Sequence, residues 1–231
     1  MLTLENLAYN WRDFSLRADF SVRQGETVAL IGPSGAGKST LLNLIAGFLA
    51  PSAGRILFNG QDVTHHAPGA RSVAMLFQDN NLFPHLTALQ NVGLGIRPNL
   101  RLTPKELDQA QSALARVGLA AFATRKPGVM SGGQQSRVAL ARILVQRKPL
   151  ILLDEPFAAL GPALKDEMLD LVAEVAADLG ATLLMVSHDP DDARRIAAQS
   201  ILVADGVAAA PVTTQALLDN PPAALRAYLG G

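Results

Sequence analysis

A nine-residue glycine-rich stretch near the N-terminus has residue types that could hold the phosphates of a nucleotide. It fits the phosphate-loop pattern GxxxxGK[ST], with an apolar segment before it and a helical pattern after it. The glycines let backbone N–H groups turn inward, Lys38 offers a positive charge, and Ser39 offers a hydroxyl ligand for Mg²⁺. The pattern predicts a phosphate-binding loop formed by Gly32, Pro33, Ser34, Gly35, Ala36, Gly37, Lys38, Ser39 and Thr40.

Two adjacent carboxylates follow a second apolar run, where residues 150–155 read LILLDE. Successive side chains of an extended chain point to opposite sides, so the two acids face different directions. A buried strand that runs into paired acids is costly unless a cation meets them. We therefore predict that Asp154 serves the metal through its water shell and that Glu155 polarises an attacking water.

Polar side chains also end two further strand-like segments of the chain. Gln78 follows Ser72–Phe77, and His188 follows Thr182–Ser187. The carboxyl ends of parallel strands meet at one edge of a sheet, where ligands bind in open α/β folds. Gln78 is expected to touch Mg²⁺ or the water, and His188 to hydrogen-bond the γ-phosphate. A merely solvent-exposed histidine is the alternative for His188.

A second anion-binding pattern lies far along the chain, where residues 130–137 read MSGGQQSR and lead into a helical segment. The first turn of a helix has free N–H groups and the positive end of the helix dipole. This helix start lies in a different part of the sequence from the phosphate loop. We hypothesise that the residues complete the phosphate site of a second copy, which makes two identical sites in a two-fold homodimer. They are Ser131, Gly132, Gly133 and Gln134.

The segments that must position these residues alternate between strand-like and helical patterns, which favours an α/β fold. Residues 86–144 are helix-rich and contain no convincing strand. We interpret residues 1–231 as a single domain, with a core at about 1–85 and 145–231 and an inserted helical subdomain at about 86–144. The Asp205-Gly206 pair indicates a small hairpin. The predicted strands are Thr27–Ile31, Arg55–Phe58, Ser72–Phe77, Leu150–Leu153, Thr182–Val186 and Ser200–Val203.

The composition narrows the class of partner. Lys and Arg together number 20, as do Asp and Glu, so net charge offers no strong case for nucleic-acid binding. The sequence contains no cysteine, which removes disulfides and thiolate metal sites. Its longest apolar runs fall well short of the roughly 20 residues that cross a bilayer. We expect no nucleic-acid partner and no unaided membrane crossing.

With these motifs in this order, the chain resembles the ATP-binding subunits of ABC transporters over essentially its whole length. Their signature usually reads LSGGQ, and here Met130 takes the first position. The resemblance implies a P-loop NTPase fold, namely a RecA-like core with an antiparallel β edge and an inserted α-helical subdomain. It implies ATP and Mg²⁺ as cofactors. It also implies Gln78 as the Q-loop residue, Glu155 as the catalytic glutamate and His188 as the switch histidine.

Two local features bear on that resemblance. It implies an aromatic residue that stacks on adenine, for which spacing favours Trp11 over Tyr9; a core aromatic is the alternative.

The segment after the acid pair usually reads SALD, but residues 158–161 read AALG and lack the aspartate. We expect a folded, ATP-binding protein with reduced hydrolysis or looser coupling between the two sites.

The resemblance also implies partners and a location. ATP hydrolysis in this family moves a substrate through separate transmembrane permease subunits, with a periplasmic solute-binding protein involved indirectly, at the cytoplasmic face of the inner membrane. Apolar residues after the Q-loop are unusual on a free surface. They indicate contact with the transmembrane subunit, and a locally packed turn is the alternative. The expected contact residues are Leu82, Phe83, His85 and Leu86.

The transported substrate is indicated only by similarity. Residues 41–49, residues 183–197 and the short C-terminus are similar to the ATPase subunits of bacterial thiamine importers. Import of another small solute, such as an anion, a metal ion or a polyamine, stays open. So does a soluble ABC ATPase that takes no part in transport, or a small-molecule kinase built on the same phosphate loop.

Overall fold

The computed structural model describes residues 1–158 and 160–229, apart from the side chain of Leu229. The strands are β1 Leu2–Trp11, β2 Phe14–Val22, β3 Thr27–Ile31, β4 Ala53–Phe58, β5 Gln61–Asp62, β6 Val73–Leu76, β7 Leu150–Asp154, β8 Thr182–Val186, β9 Gln199–Ala204, β10 Val207–Ala208 and β11 Val212–Thr213. The α-helices are α1 Lys38–Ala46, α2 Ala88–Gly93, α3 Pro104–Arg116, α4 Gly132–Gln146, α5 Pro162–Leu179, α6 Pro190–Ile196, α7 Thr214–Asp219 and α8 Ala223–Leu229. Short 3₁₀ turns lie at Pro68–Ala70, Ala120–Phe122 and Pro127–Val129.

The strands form one sheet in the order β5-β4-β1-β2-β10-β9-β3-β8-β7-β6, with β11 paired to β9. Strands β9, β3, β8, β7 and β6 run parallel, whereas β1 pairs antiparallel with both β2 and β4. The predicted α/β fold, with its antiparallel edge, is confirmed. It brings the carboxyl ends of five parallel strands to one edge.

The core lies on both faces of the parallel strands, as their continuous apolar sequences predict. One face packs against α1 through Leu41, Leu42 and Ile45. The other face packs against α4 and α5 in a cluster that includes Leu140 and Met168. This burial fixes the loops at the carboxyl edge, where the predicted site residues lie.

The predicted strand bounds agree closely with the structure in the parallel region. β3 and β8 have the predicted limits, β7 extends one residue further to Asp154, and β6 is shorter than predicted. The turn at Asp205-Gly206 joins β9 to β10, which pair antiparallel as Val207 opposite Ala204. The predicted hairpin is therefore confirmed.

Strands β1 and β2 are absent from the strands predicted by residue pattern. β1 has a register shift between Leu4 and Leu7, and Asn6 within it has a φ of +46°. This irregularity interrupts the alternation by which a half-buried strand is recognised. In β2, apolar and polar residues alternate along the sequence and their side chains are alternately buried and exposed, which is the two-residue period of a half-buried strand.

All elements described between β6 and β7 are helical: α2, α3, α4 and two 3₁₀ turns. Helix α4 packs against α2 and α3 and also against β6, so it connects this region to the sheet. The division into a core and a helical subdomain remains a prediction. Among the described helices, none combines the length and apolar character needed to span a bilayer.

Candidate nucleotide site

Two glycines of the loop at 32–40 are required by close packing. A Cβ on Gly32, which has a φ of +147°, would lie 2.0 Å from the Val203 carbonyl oxygen. A Cβ on Gly37, with a φ of +105°, would lie 2.7 Å from the Phe14 ring. Side chains at these positions would push the loop out of place, so glycine is needed for the loop to curl between β3 and α1.

Lys38, the first residue of α1, is folded back over this loop. Its Nζ donates to the carbonyl oxygens of Gly32 at 2.8 Å and Pro33 at 2.9 Å. Burial lowers the pKa of Lys38, and the nearby charges of Glu155 and Asp154 oppose that shift. The ammonium therefore lies inside the loop, where anionic phosphate oxygens could replace the two neutral carbonyls as its acceptors.

Ser39 and Asp154, separated by more than a hundred residues in sequence, meet at the end of β7. The Ser39 hydroxyl donates to Asp154 Oδ1 at 2.9 Å. Burial raises the pKa of Asp154, and the hydrogen bond from Ser39 partly counters it. A partly buried carboxylate beside a hydroxyl is a pair of hard oxygen donors of the kind that binds Mg²⁺.

Gln78 lies at the same edge of the sheet, on an exposed loop after β6. β6 pairs in parallel with β7, the last pair being Leu76 with Leu153, so Gln78 and Glu155 each lie two residues beyond the end of that pairing. The Gln78 amide oxygen is a hard oxygen donor, like the Ser39 hydroxyl and the Asp154 carboxylate. The structure thus brings Gln78 to the same edge as Asp154, and its contact with metal or water remains a prediction.

Glu155 and His188 approach each other at this edge. His188 Nδ1 lies 3.5 Å from Glu155 Oε2, and the His188 side chain is half exposed. Glu155 has a φ of +44°, an uncommon conformation for a residue other than glycine. Such strained positions are concentrated at functional sites. The contact pairs the predicted water-polarising carboxylate with the predicted phosphate-binding imidazole.

The two candidate aromatics differ in exposure. Trp11, at the turn between β1 and β2, is 61% exposed, which rules out the core alternative for this side chain. Trp11 pairs with Phe14 across the hairpin, and Phe14 contacts Gly37, so the turn lies beside the phosphate loop. Tyr9 is half-buried against Phe14, with ring centroids 6.4 Å apart. This arrangement favours Trp11 as an adenine platform.

Residues 131–134 form the helix start that their sequence predicts. Ser131 caps α4 by accepting from the Gln134 backbone N–H, while the Gln134 side chain accepts from the Ser131 N–H. Ser131 and Gly132 are exposed, whereas Gly133 packs so closely on Leu164 that a Cβ would lie 2.4 Å away. Within the described part of the chain, no hydrogen bond joins these four residues to the loop at 32–40. The first N–H groups of a helix have no intrahelical acceptor, so those of Gly132 and Gly133 are available to an anion.

The segment after Gln78 is held by hydrogen bonds from two side chains, Asn91 and Arg142, that the sequence patterns do not predict. Buried Asn91 accepts from the Phe83 N–H at 2.8 Å and donates to the Phe83 carbonyl at 3.1 Å. Arg142 of α4 donates to the carbonyls of Asn80 and Asn81, each at 2.8 Å. Arg142 lies more than sixty residues from its two acceptors, and the eight-residue spacing of Asn91 and Phe83 follows no regular helix or strand pattern, so neither contact has a local sequence signal.

The four predicted transmembrane-contact residues lie on the surface of that segment. Phe83 is 48% exposed with its ring edge-on to the His85 ring, and His85 is exposed. Leu82 and Leu86 are half-buried. A packed turn accounts for the leucines alone, so the exposed phenylalanine favours the contact interpretation.

Gly161 occupies the position where the resemblance leads us to expect aspartate; Ala159, in the same AALG segment, lies outside the described residues. Gly161 is the N-cap of α5, with φ −67° and ψ 157° and without a side-chain cap hydrogen bond. A Cβ there would meet no atom within 4 Å. The backbone therefore accepts aspartate without strain.

We predict that Gly161→Asp raises the ATP turnover of the protein, since it restores the acid expected to position the opposite site. Steady-state ATPase rates of the purified variant and the natural protein test this. Gly161→Asn is the matched control, because it supplies the same helix cap without the charge. An unchanged rate for Gly161→Asp would contradict the prediction.

The fold and this edge of the sheet define a P-loop ATPase with a helical region between β6 and β7. Residues 16–158 match the ABC transporter family. The chain belongs to the ABC transporter family, whose ATP-binding subunits it resembles along its length.

Particular relatives narrow the comparison. The chain is 63% identical to the thiamine import ATP-binding protein ThiQ of Ruegeria sp. strain TM1040, over all of both chains. It is 61% identical to the protein of the same name from Cereibacter sphaeroides, again over all of both chains. A solved structure, the dimeric post-hydrolysis state of the ATP-binding cassette MJ0796 bound to ADP and Pi, is 31% identical. It has a TM-score of 0.80 and covers 93% of this chain and 99% of that one.

Proposed function

We propose that this protein is the ATP-hydrolysing subunit of an importer that brings thiamine into the cell. The single observation that carries the proposal is the full-length identity of 63% to a thiamine import ATP-binding protein. The protein would act at the cytoplasmic face of the inner membrane, on separate transmembrane permease subunits. A periplasmic solute-binding protein would deliver the substrate to those subunits.

The side chains at the carboxyl edge suit ATP hydrolysis. Lys38 and the N–H groups of the loop at 32–40 would bind the β- and γ-phosphates, and Trp11 would stack on the adenine. Glu155 would hold and polarise the attacking water, and His188, beside Glu155, would hydrogen-bond the γ-phosphate. The reaction breaks the bond between the terminal phosphorus and its bridging oxygen, and water supplies the new oxygen.

Mg²⁺ fits the donor set of this site. Ser39 and Asp154 present a hydroxyl and a carboxylate oxygen that already lie 2.9 Å apart, and Gln78 would add an amide oxygen. When bound, the ion would neutralise charge on the phosphate oxygens. Its charge would also favour the ionised form of Asp154, whose pKa burial raises.

The catalytic sites would form between two copies of the chain. Ser131, Gly132, Gly133 and Gln134 would approach the γ-phosphate held by the partner's loop, and the partner would do the same in return. Ser131 and Gly132 are exposed, and among the described residues none of the four forms a hydrogen bond with the loop at 32–40 of its own chain; both observations support this arrangement. So does the dimeric state named for the cassette MJ0796.

Copurification and transport assays test the assignment. A tagged chain extracted in mild detergent should bring down its permease subunits, which are then placed in liposomes with the matching solute-binding protein. We expect thiamine to stimulate ATP hydrolysis and to accumulate in the vesicles. If an anion, a metal ion or a polyamine stimulates hydrolysis and thiamine does not, then that solute is the substrate and the assignment of thiamine is wrong.

A different outcome would overturn transport altogether. Copurification without membrane proteins, together with ATPase activity stimulated by nucleic acid, would place the chain among soluble ABC ATPases. A small-molecule kinase built on the same phosphate loop would not use Ser131, so the kinase activity would survive substitution of that residue.

A further inference from the structure

The C-terminal helix α8 reaches back to the loop that carries His188. The Tyr228 hydroxyl donates to the His188 backbone carbonyl at 2.7 Å, across forty residues of sequence. Helix α8 is anchored by Leu225, which is fully buried in a cluster with Ala29 and Ile31 of β3. Tyr228 therefore joins a fixed element to the backbone of the predicted switch residue.

The same loop is also held by α5. Lys165 forms ion pairs with Asp189 and Asp192, the latter at 2.7 Å. Asp192 also accepts from the Ser187 hydroxyl at 2.6 Å. The residues on either side of His188 are thus fixed by their own side chains. The backbone of His188 itself is held by Tyr228, so the tyrosine acts where the imidazole is attached.

We infer that Tyr228 is a positioning residue that holds the His188 backbone so that the imidazole lies beside Glu155. This inference rests on the proposed role of His188 in ATP hydrolysis. The imidazole side chain is half exposed, and its observed contact at the site is the 3.5 Å approach to Glu155. An exposed side chain gains little orientation from packing, so restraint of its backbone determines where the ring can reach.

The surroundings of Tyr228 favour the protonated form of its hydroxyl, which is the form that donates a hydrogen bond. Burial raises the pKa of Tyr228, and the negative charges of Glu155 and Asp189 raise it further. The phenol therefore stays protonated at neutral pH, and its hydroxyl can donate to the His188 carbonyl.

Tyr228→Phe is the sharpest test, because it removes the hydroxyl and leaves the ring packed. We expect kcat for ATP hydrolysis by the full-length protein to fall about three- to tenfold, the range expected for one lost neutral hydrogen bond. The KM for ATP should be unchanged, since the phosphate loop is untouched. Arg226→Ala, at an exposed residue on the same helix, is the control for perturbing α8 and should keep the natural rate.

A double-mutant cycle separates positioning from a general structural effect. In a His188→Ala background, Tyr228→Phe should cause no further fall in kcat. An equal fall in both backgrounds, or a natural rate for Tyr228→Phe alone, would overturn the inference while leaving the role of His188 intact. If His188→Ala itself keeps the natural rate, the proposed role of His188 fails and this inference fails with it.

Discussion

Glu155→Gln should abolish ATP hydrolysis almost completely while ATP binding is retained. The amide has the shape of the carboxylate but cannot accept the proton of the attacking water. A positioned general base typically contributes a hundredfold or more, so we expect kcat to fall by about that factor or further. Lys38 and Ser39 are unchanged, so the affinity for ATP should be preserved. ATPase assays and nucleotide-binding titrations measure the two quantities separately.

The same variant should accumulate as an ATP-bound dimer, because hydrolysis no longer releases the two copies. Size-exclusion chromatography with ATP and Mg²⁺ should give the mass of two chains, and the mass of one chain with ADP. Glu174→Gln on α5 is the matched control: the same chemical change at an exposed glutamate outside the site. Hydrolysis by Glu155→Gln at the natural rate would remove Glu155 from the catalytic role.

Gly132→Asp should produce a correctly folded protein that does not hydrolyse ATP. A Cβ on this exposed glycine would meet Leu160 at 4.0 Å, so the substitution fits without a clash. An acid in the first turn of a helix is favoured by the helix dipole, so the thermal stability of the chain should not fall. The new carboxylate would instead face the partner's γ-phosphate. Like charges about 4 Å apart cost ~4 kcal/mol near a protein surface. We therefore expect the rate of ATP hydrolysis to fall by about a hundredfold or more.

Gly128→Asp provides the control for that substitution. Gly128 lies four residues earlier, and a Cβ there would meet no atom within 4 Å. It adds the same charge to the same region outside the signature, and its ATPase rate should remain natural. Thermal denaturation and ATPase assays are run on both variants. Equal activity of the two would show that α4 does not approach a nucleotide.

The parallel half of the fold follows from the sequence because its strands are short, apolar and bounded by functional loops. β3 ends directly before Gly32, β7 ends at Asp154 and β8 ends two residues before His188, and the chemistry of each of these residues is recognisable from its type. The phosphate loop and the start of α4 can each be recognised from a short stretch of sequence, because both depend on residues adjacent in the chain. These elements could be predicted without a structure.

The supports of the site could not be predicted in the same way. Arg142 with Asn80 and Tyr228 with His188 are contacts between side chains and backbone across 40 to 62 residues. Nothing in the local pattern of either residue marks its partner. Exposure of Trp11 is another result of tertiary structure, because an aromatic residue in β1 has the same sequence pattern whether it packs or faces solvent.

Cross-linking tests the shared site most directly. The sequence contains no cysteine, so a thiol reagent can react only at the cysteines that are introduced. Ser34 and Ser131 are both exposed, so Ser34→Cys and Ser131→Cys can be combined in one Glu155→Gln chain with little change in shape. After ATP is added, a short bifunctional thiol reagent should yield a covalent dimer on a denaturing gel, and neither single-cysteine chain should yield it. A chain cross-linked within itself, with no covalent dimer, would contradict the account.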